Sequence, residues 1–155
     1  MSTDLLQEIR QQKPFVSLAE AAVLNVGRTM AVLDAGLERV LKPHGISGTQ
    51  YNVLRILRGA GIDGLCRNEI ADRLVTRMPD VTRLLDRMEE ADLVARQRDS
   101  KDRRLVTTRL TDKGRALVDE LDAPINALHE RQLGHLSEEQ LHAVIDLMSL
   151  IRTSA

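Results

Sequence analysis

Six polar or charged residues, Asp99-Ser100-Lys101-Asp102-Arg103-Arg104, separate two short strand-like runs. The first run covers about residues 94–98 and the second about residues 104–110. In the second run, Val106, Thr108 and Leu110 share one face, because side chains alternate along a strand. The pattern predicts a β-hairpin with an arginine-rich tip. Such a tip is typical of contact with an anionic partner.

The composition restricts the class of protein. At 155 residues and 43% hydrophobic content, the chain is expected to form one domain, residues 1–155. No run approaches the ~18 consecutive apolar residues of a membrane span, and the first residues do not resemble a signal peptide. A single cysteine, Cys66, excludes an internal disulfide framework. We therefore expect a cytoplasmic protein.

The charge and the aromatic content restrict its partners. Phe15 and Tyr51 are the only aromatic residues, so the chain has no stacking platform for single-stranded nucleic acid. The net charge is -1, and binding to double-stranded DNA would therefore depend on a local arginine cluster.

Hydrophobic periodicity and capping boxes predict helices on both sides of the hairpin. Three boxes open helices: Ser17 with Glu20, Ser47 with Gln50, and Ser137 with Gln140. The first helix extends to about Leu41, and the second is expected to end at Gly59 and Gly61. In the first helix an apolar stripe recurs every three or four residues: Val23, Val26, Met30, Leu33, Leu37 and Val40.

Two short helices precede the hairpin. The first is predicted over Asn68–Leu74, and the second begins at Met78 after a turn around Thr76. The second helix buries Val81, Leu84, Leu85 and Met88. Two helices joined by so short a turn indicate a helix-turn-helix. The expected fold class is mostly α with a small β-hairpin wing.

These motifs resemble those of the MarR family of bacterial transcription regulators. The matching residues are Asp99-x-x-Asp102-Arg103-Arg104, Leu110-Thr111-x-x-Gly114, Ile70-Ala71-x-x-Leu74 and residues 81–89. The resemblance covers nearly the whole chain. It implies a homodimer that places two winged helices on a pseudo-palindrome, commonly as a repressor released by a small phenolic or aromatic carboxylate ligand.

The resemblance also implies how the chain is divided. Residues 17–45 and 112–153 would be dimerisation helices, flanking a winged helix-turn-helix at 47–110. We expect dimerisation to bury the stripe of the first helix together with Leu121, Ile125, Leu141, Val144, Ile145 and Met148. The turn departs from the family, since Val75 replaces a frequent Gly and Arg77 a frequent capping Ser. We therefore expect Thr76 to cap the second helix.

The residues predicted to contact DNA are Asn68, Thr76, Arg77, Asp80, Thr82, Arg83, Arg87, Lys101, Arg103 and Arg104. Arg83 suits guanine, and Asp80 suits the amino group of cytosine. Arg103 is expected in the minor groove. Asp99 and Asp102 would stabilise the wing, while Arg104 either pairs with Asp102 or reaches phosphate.

A ligand pocket in this family lies between the dimerisation helices and the winged helix. The resemblance implies that Arg28, Tyr51, Asn52 and Arg55 line it, with either arginine suited to a carboxylate. Met30 comes from the same region but also belongs to the apolar stripe.

The same residues allow other interpretations of the function. Arg83 and Arg87 alternate with acids and would also suit a solvated helix face. The chain would then be a helical dimerisation or adaptor protein whose winged helix binds another protein. Cys66 is either a thiol sensor or an inert filler. The four histidines lack metal-ligand spacing, and no catalytic or phosphate-loop motif occurs, so we expect no enzyme activity, metal or cofactor.

Overall fold

The computed structural model describes residues 5–98 and 105–153. The helices in these ranges are α1 (Leu5–Glu8), α2 (Leu18–Leu41), α3 (Gly48–Ala60), α4 (Arg67–Arg73), α5 (Val81–Glu90), α6 (Asp112–Leu133) and α7 (Glu138–Thr153). The strands are β1 (Leu65–Cys66), β2 (Val94–Arg98) and β3 (Val106–Leu110). The predicted fold class, mostly helical with a small hairpin, is confirmed. None of the described helices combines the length and apolar content required to cross a membrane.

The sheet has the strand order β1-β3-β2 and is antiparallel throughout. Strands β2 and β3 form the predicted hairpin, in which Val94 pairs with Leu110 and Arg98 with Val106. Strand β1 was not predicted, and it adds Leu65 opposite Thr108 on the other edge of β3. Thr108 is buried, whereas Arg109, on the other face of β3, is exposed.

The capping boxes begin the helices where the sequence predicts. The Ser47 hydroxyl accepts the amide N–H of Gln50 and the Gln50 side chain accepts the N–H of Ser47. Ser137 and Gln140 make the same exchange. At α2 the box is only half formed, because the Glu20 carboxylate accepts from Val16 at 2.6 Å instead of from Ser17. Helix α3 continues past Gly59 to Ala60, so Gly59 does not end it.

The hydrophobic core joins α3, α4, α5 and the sheet to the long helix α6. Its fully buried members include Val53, Leu54, Leu57, Ile70, Leu85, Met88, Val94, Val118 and Leu121. Leu121 and Ile125 were expected at a dimer interface, but they are 0% and 3% exposed within the protomer. That expectation is wrong, since a second chain has no surface of these two side chains left to cover.

Helices α2 and α7 leave apolar side chains uncovered in the protomer. Within the described part of α7 no residue is buried. The apolar stripe of α2 has a packed part and an exposed part. Leu37 and Val40 pack on the core, whereas Val23 is 69% exposed. The large apolar side chains exposed on these two helices are Leu18, Val23, Leu24, Met30, Val32, Val144, Ile145, Leu147, Leu150 and Ile151.

A tight corner connects the end of α5 to the start of α6. The Thr111 hydroxyl caps α6 by accepting the N–H of Gly114 and donates to the carbonyl of Asp92 at 2.6 Å. The Lys113 ammonium donates to the carbonyl of Ala91, the residue that ends α5. A Cβ on Gly114 would clash with the carbonyl oxygen of Leu93. The Leu110-Thr111-x-x-Gly114 motif therefore has a packing role.

We predict that Gly114→Ala lowers the free energy of unfolding by about 1–3 kcal/mol, because the added methyl group forces backbone atoms apart. Urea denaturation measures the change. Gly59→Ala is the matched control, since nothing lies within 4 Å of a Cβ at that helical position. It should be neutral or stabilise by up to about 1 kcal/mol. Equal effects of the two substitutions would contradict this account of the corner.

Candidate nucleic-acid interface

Helix α5 begins later than the sequence predicts. Its N-cap is Asp80, whose carboxylate accepts the N–H of Arg83 at 2.9 Å. The prediction of a start at Met78 with Thr76 as the cap is therefore wrong. The physical reason is Pro79, because a residue that precedes proline is disfavoured in the helical conformation. The segment between α4 and α5 is consequently longer than expected, spanning residues 74–80.

The two faces of α5 match the predicted pattern. Val81, Leu84, Leu85 and Met88 are buried. Thr82, Arg83 and Arg87 are exposed on the opposite face. Thr76 and Arg77, in the preceding segment, and Asn68, on α4, are also exposed. The described candidates for DNA contact therefore lie at the surface, and Asp80 is the one whose side chain is engaged by the helix N-terminus.

Arg67 connects two of the predicted contact residues and was missed in the sequence. Its guanidinium donates to the Asn68 side chain at 2.9 Å and to the Thr82 hydroxyl at 3.5 Å. Arg67 thus links the start of α4 to the exposed face of α5. No sequence signal distinguishes it from other surface arginines, since the contact with Thr82 depends on how the two helices pack.

Arg96 fixes the wing to α5. The Arg96 guanidinium contacts Glu89 at 2.6 Å and Asp86 at 2.6 Å, and its backbone N–H donates to Glu89 at 3.1 Å. Hydrogen bonds from Arg96 lower the pKa of the Glu89 carboxyl. The same bonds raise the pKa of Arg96. Strand β2 is therefore held against α5 by charge-assisted bonds, which are stronger than neutral ones.

The predicted wing-tip residues, Asp99, Lys101, Asp102, Arg103 and Arg104, lie outside the described residues. Their proposed contacts stay predictions. The described ends of the wing strands are Arg98 on β2 and Val106 on β3, which pair with each other. The described part of the hairpin therefore extends from the end of α5 to the Arg98–Val106 pair.

A separate cleft of about 410 Å³ lies between α2, α3, α6 and the turn before α5. Of the predicted ligand residues, Tyr51, Asn52 and Arg55 line it, together with Met30. Arg28 does not line it; its guanidinium is 3.6 Å from the Glu8 carboxylate.

The cleft combines apolar and polar groups. Burial raises the pKa of the Tyr51 hydroxyl above its ordinary value, so the phenol stays neutral at physiological pH. The Arg55 guanidinium lies 5.9 Å from the centre of the Tyr51 ring and remains exposed. His129 adds a polar group, whereas Asp34 and Glu38 add acids.

Cys66 has a structural position at the start of α4. Its backbone N–H donates to the Glu69 carboxylate at 2.8 Å, and the two residues form a capping box. These contacts lower the pKa of Glu69, with the backbone bond as the largest cause. Within residues 5–98 and 105–153, no cluster of three or more His, Cys, Asp or Glu is placed to hold a metal ion.

Comparisons with known proteins agree on one family. A sequence profile of the MarR family matches residues 44–105. The transcriptional repressor MdtR of Bacillus subtilis (strain 168) is 35% identical over 101 residues, which are 65% of this chain and 64% of that protein. The chain therefore spans slightly less than two thirds of that repressor's length.

Solved structures extend the similarity to almost the full chain. The crystal structure of a MarR transcription factor from Planctomyces limnophilus is 42% identical, with a TM-score of 0.68, and the alignment covers 88% of this chain and 99% of that one. The MepR-DNA complex of S. aureus has a TM-score of 0.76 at 25% identity, covering 84% and 96% respectively.

We predict that Glu89→Gln lowers the free energy of unfolding by about 0.5–1 kcal/mol at neutral pH, because partial exposure screens the pair with Arg96. The folded-state pKa of Glu89 lies below the ordinary value of 4.5. Its contribution is therefore present above that pH and is lost as the pH falls through the folded-state pKa. The difference between wild type and variant should close in acid, as measured by urea titrations across pH.

Glu90→Gln is the matched control for this prediction. Glu90 is the next residue on α5, is exposed, and has no ion pair within the described part of the chain. Its substitution should change stability little at any pH. A Glu89→Gln effect that is independent of pH, or one shared by Glu90→Gln, would contradict the pairing with Arg96.

Proposed function

The chain belongs to the MarR family, and on that premise we propose that it is a transcriptional regulator that binds double-stranded DNA sequence-specifically. We propose further that it acts as a homodimer on a pseudo-palindromic operator and responds to a small molecule. The observation that carries the proposal is the exposed basic face of α5, which is attached to the wing.

The dimensions of α5 suit the major groove. With its side chains an α-helix is about 10–12 Å in diameter, which fits the major groove of B-DNA, about 12 Å wide. The ten residues of α5 give a length of about 15 Å. The side chains near the N-terminus of a recognition helix contact the base edges. Here those side chains are Thr82 and Arg83, with Arg87 one turn further along.

The internal pairing of acids explains how a chain of net charge -1 presents a positive face. Asp80 is engaged in capping, and Asp86 and Glu89 are paired with Arg96. In the described part of the chain, Arg77, Arg83 and Arg87 form no ion pair with these acids. Their charge is therefore available for phosphate and guanine, and phosphate contacts supply most of the affinity for DNA.

A homodimer would place two such faces on one duplex. Helices α2 and α7 each expose several large apolar side chains, more than isolated surface residues would explain, and a second copy of the chain is the partner that the proposal assigns to them. Residues 17–45 and 112–153 would then supply the interface, and residues 47–110 the DNA contacts. The expected spacing between half-sites is one helical turn or a multiple of it.

Repression with ligand control is the finer part of the proposal. The name of the Bacillus subtilis relative identifies that protein as a repressor, which favours repression over activation for this chain. The cleft volume of about 410 Å³ lies within the range of small-molecule sites. Its Arg55 and Tyr51 suit a phenolic or aromatic carboxylate.

We predict that Arg83→Ala weakens binding to an operator selected from a random duplex library and relaxes base preference at one position by about 1–3 kcal/mol. Fluorescence anisotropy with the selected duplex and single-base variants measures both effects. Arg39→Ala on α2 removes the same charge from another helix and should leave affinity within about twofold of wild type.

Two outcomes would contradict the proposed DNA contact. Unchanged affinity and base preference for Arg83→Ala would exclude this arginine from base recognition. Failure of the wild type to enrich any duplex, at near-physiological salt, would favour the adaptor function in which the winged helix binds a protein.

We predict that Ile145→Asp shifts the protein from dimer to monomer at micromolar concentration. Ile145 is 60% exposed in the protomer, and a buried carboxylate without a partner would oppose association. Sedimentation velocity measures the mass. Gln97→Glu, on the wing strand β2, adds the same charge and should remain dimeric. A wild type that sediments as a monomer, or an Ile145→Asp variant that remains a dimer, would contradict the proposed interface.

A further inference from the structure

The segment between α4 and α5 has few contacts of its own. Val75 follows the end of α4, and its side chain is 86% exposed. Thr76 and Arg77 are exposed as well. Leu74 and Met78 pack on the core at either side, but the side chains of residues 75–77 do not hold the backbone between them by packing. A further interaction fixes this backbone.

That interaction comes from α3. The Asn52 side-chain oxygen accepts the backbone N–H of Val75 at 2.9 Å. Within the described part of the chain, this is the hydrogen bond that ties residues 75–79 to another element. We propose that Asn52 is a positioning residue for DNA recognition, which holds the helix-turn-helix segment so that α5 presents its basic face.

Asn52 is suited to this role because α3 is itself firmly held. Its neighbours Val53 and Leu54 are fully buried. One and a half turns further along, Arg58 contacts Asp119 and Asp122 of α6, each at 2.8 Å. Asn52 thus ties the Val75 backbone to the part of the core formed by α3 and α6, whereas the Val75 side chain is exposed.

Asn52 also lines the cleft, as do Val75 and Thr76. Because only the oxygen of the Asn52 amide can accept the Val75 N–H, this bond sets the orientation of the amide group. The oxygen that holds Val75 is therefore at the surface of the cleft proposed to bind an effector. The effect of Asn52 on DNA affinity rests on the proposed function, whereas its effect on the Val75 backbone does not.

Two substitutions separate the acceptor from the size of the side chain. Asn52→Leu removes the acceptor at similar volume, and Asn52→Asp keeps an oxygen that accepts the Val75 N–H. Gly59→Ala is the matched control, since it changes α3 outside the cleft, at a position where nothing lies within 4 Å of an added Cβ. The measurements are amide hydrogen exchange resolved at Val75 and affinity for the selected operator duplex.

We expect Val75 to be protected in the wild type and in Asn52→Asp and Gly59→Ala. In Asn52→Leu, exchange at Val75 should be roughly 3- to 10-fold faster, and DNA affinity should fall by a similar factor, the range set by one net hydrogen bond. Protection of the buried core of α3 should be unchanged.

Several outcomes overturn the inference. Val75 exchanging at the rate of an unstructured peptide in the wild type would do so whatever the variants show. So would equal losses of DNA affinity in Asn52→Asp and Asn52→Leu, since the acceptor would then be irrelevant. If the wild type binds no duplex, the proposed function fails, while exchange at Val75 still decides whether Asn52 holds the segment.

Discussion

The close approach of α6 to Leu93 is the constraint on which the rest of the structure depends. Gly114 has no side chain, and the Leu93 carbonyl occupies the space that a Cβ would fill. Thr111 and Lys113 then bond the last carbonyls around the end of α5. Because β2 starts at Val94, directly after this corner, the corner sets the relative directions of recognition helix, wing and long helix.

Two further ties join the elements that are proposed to contact DNA. Arg96 joins β2 to α5 through Asp86 and Glu89, and Arg67 joins α4 to α5 through Thr82. The Arg96 contacts pair two acids of α5, Asp86 and Glu89, within the protein. The remaining arginines therefore face solvent, and a protein with almost no net charge gains a local positive surface. Preorganisation of this kind lowers the cost of ordering side chains on binding.

The sequence predicts the local features well, because capping and periodicity are encoded within a few residues. The Ser47 and Ser137 boxes, the buried face of α5 and the presence of the hairpin all belong to this group. The start of α5 was misplaced because Thr76 and Asp80 are both good caps, and the choice depends on Pro79. Strand β1 was missed because its two residues gain a strand conformation only from pairing with β3.

The site was predicted less completely, for reasons of tertiary contact. An amphipathic pattern does not reveal whether its apolar face meets the same chain or another, and so Leu121 and Ile125 were assigned to a dimer although they belong to the core of the protomer. The fold alone brings together the partners of three other contacts. These are the bonds of Arg67 with Thr82, of Arg96 with Glu89, and of the Val75 N–H with the Asn52 oxygen. Their residue types alone are those of an ordinary surface.

We propose that two copies of the chain place two basic α5 faces on one duplex. Hydroxyl-radical footprinting on a duplex enriched from a random library tests it most directly. We expect two protected regions related by a dyad, with centres about one helical turn, roughly 10 base pairs, or a multiple of it apart. A single protected region without dyad symmetry, or no protection at all, would contradict the claim.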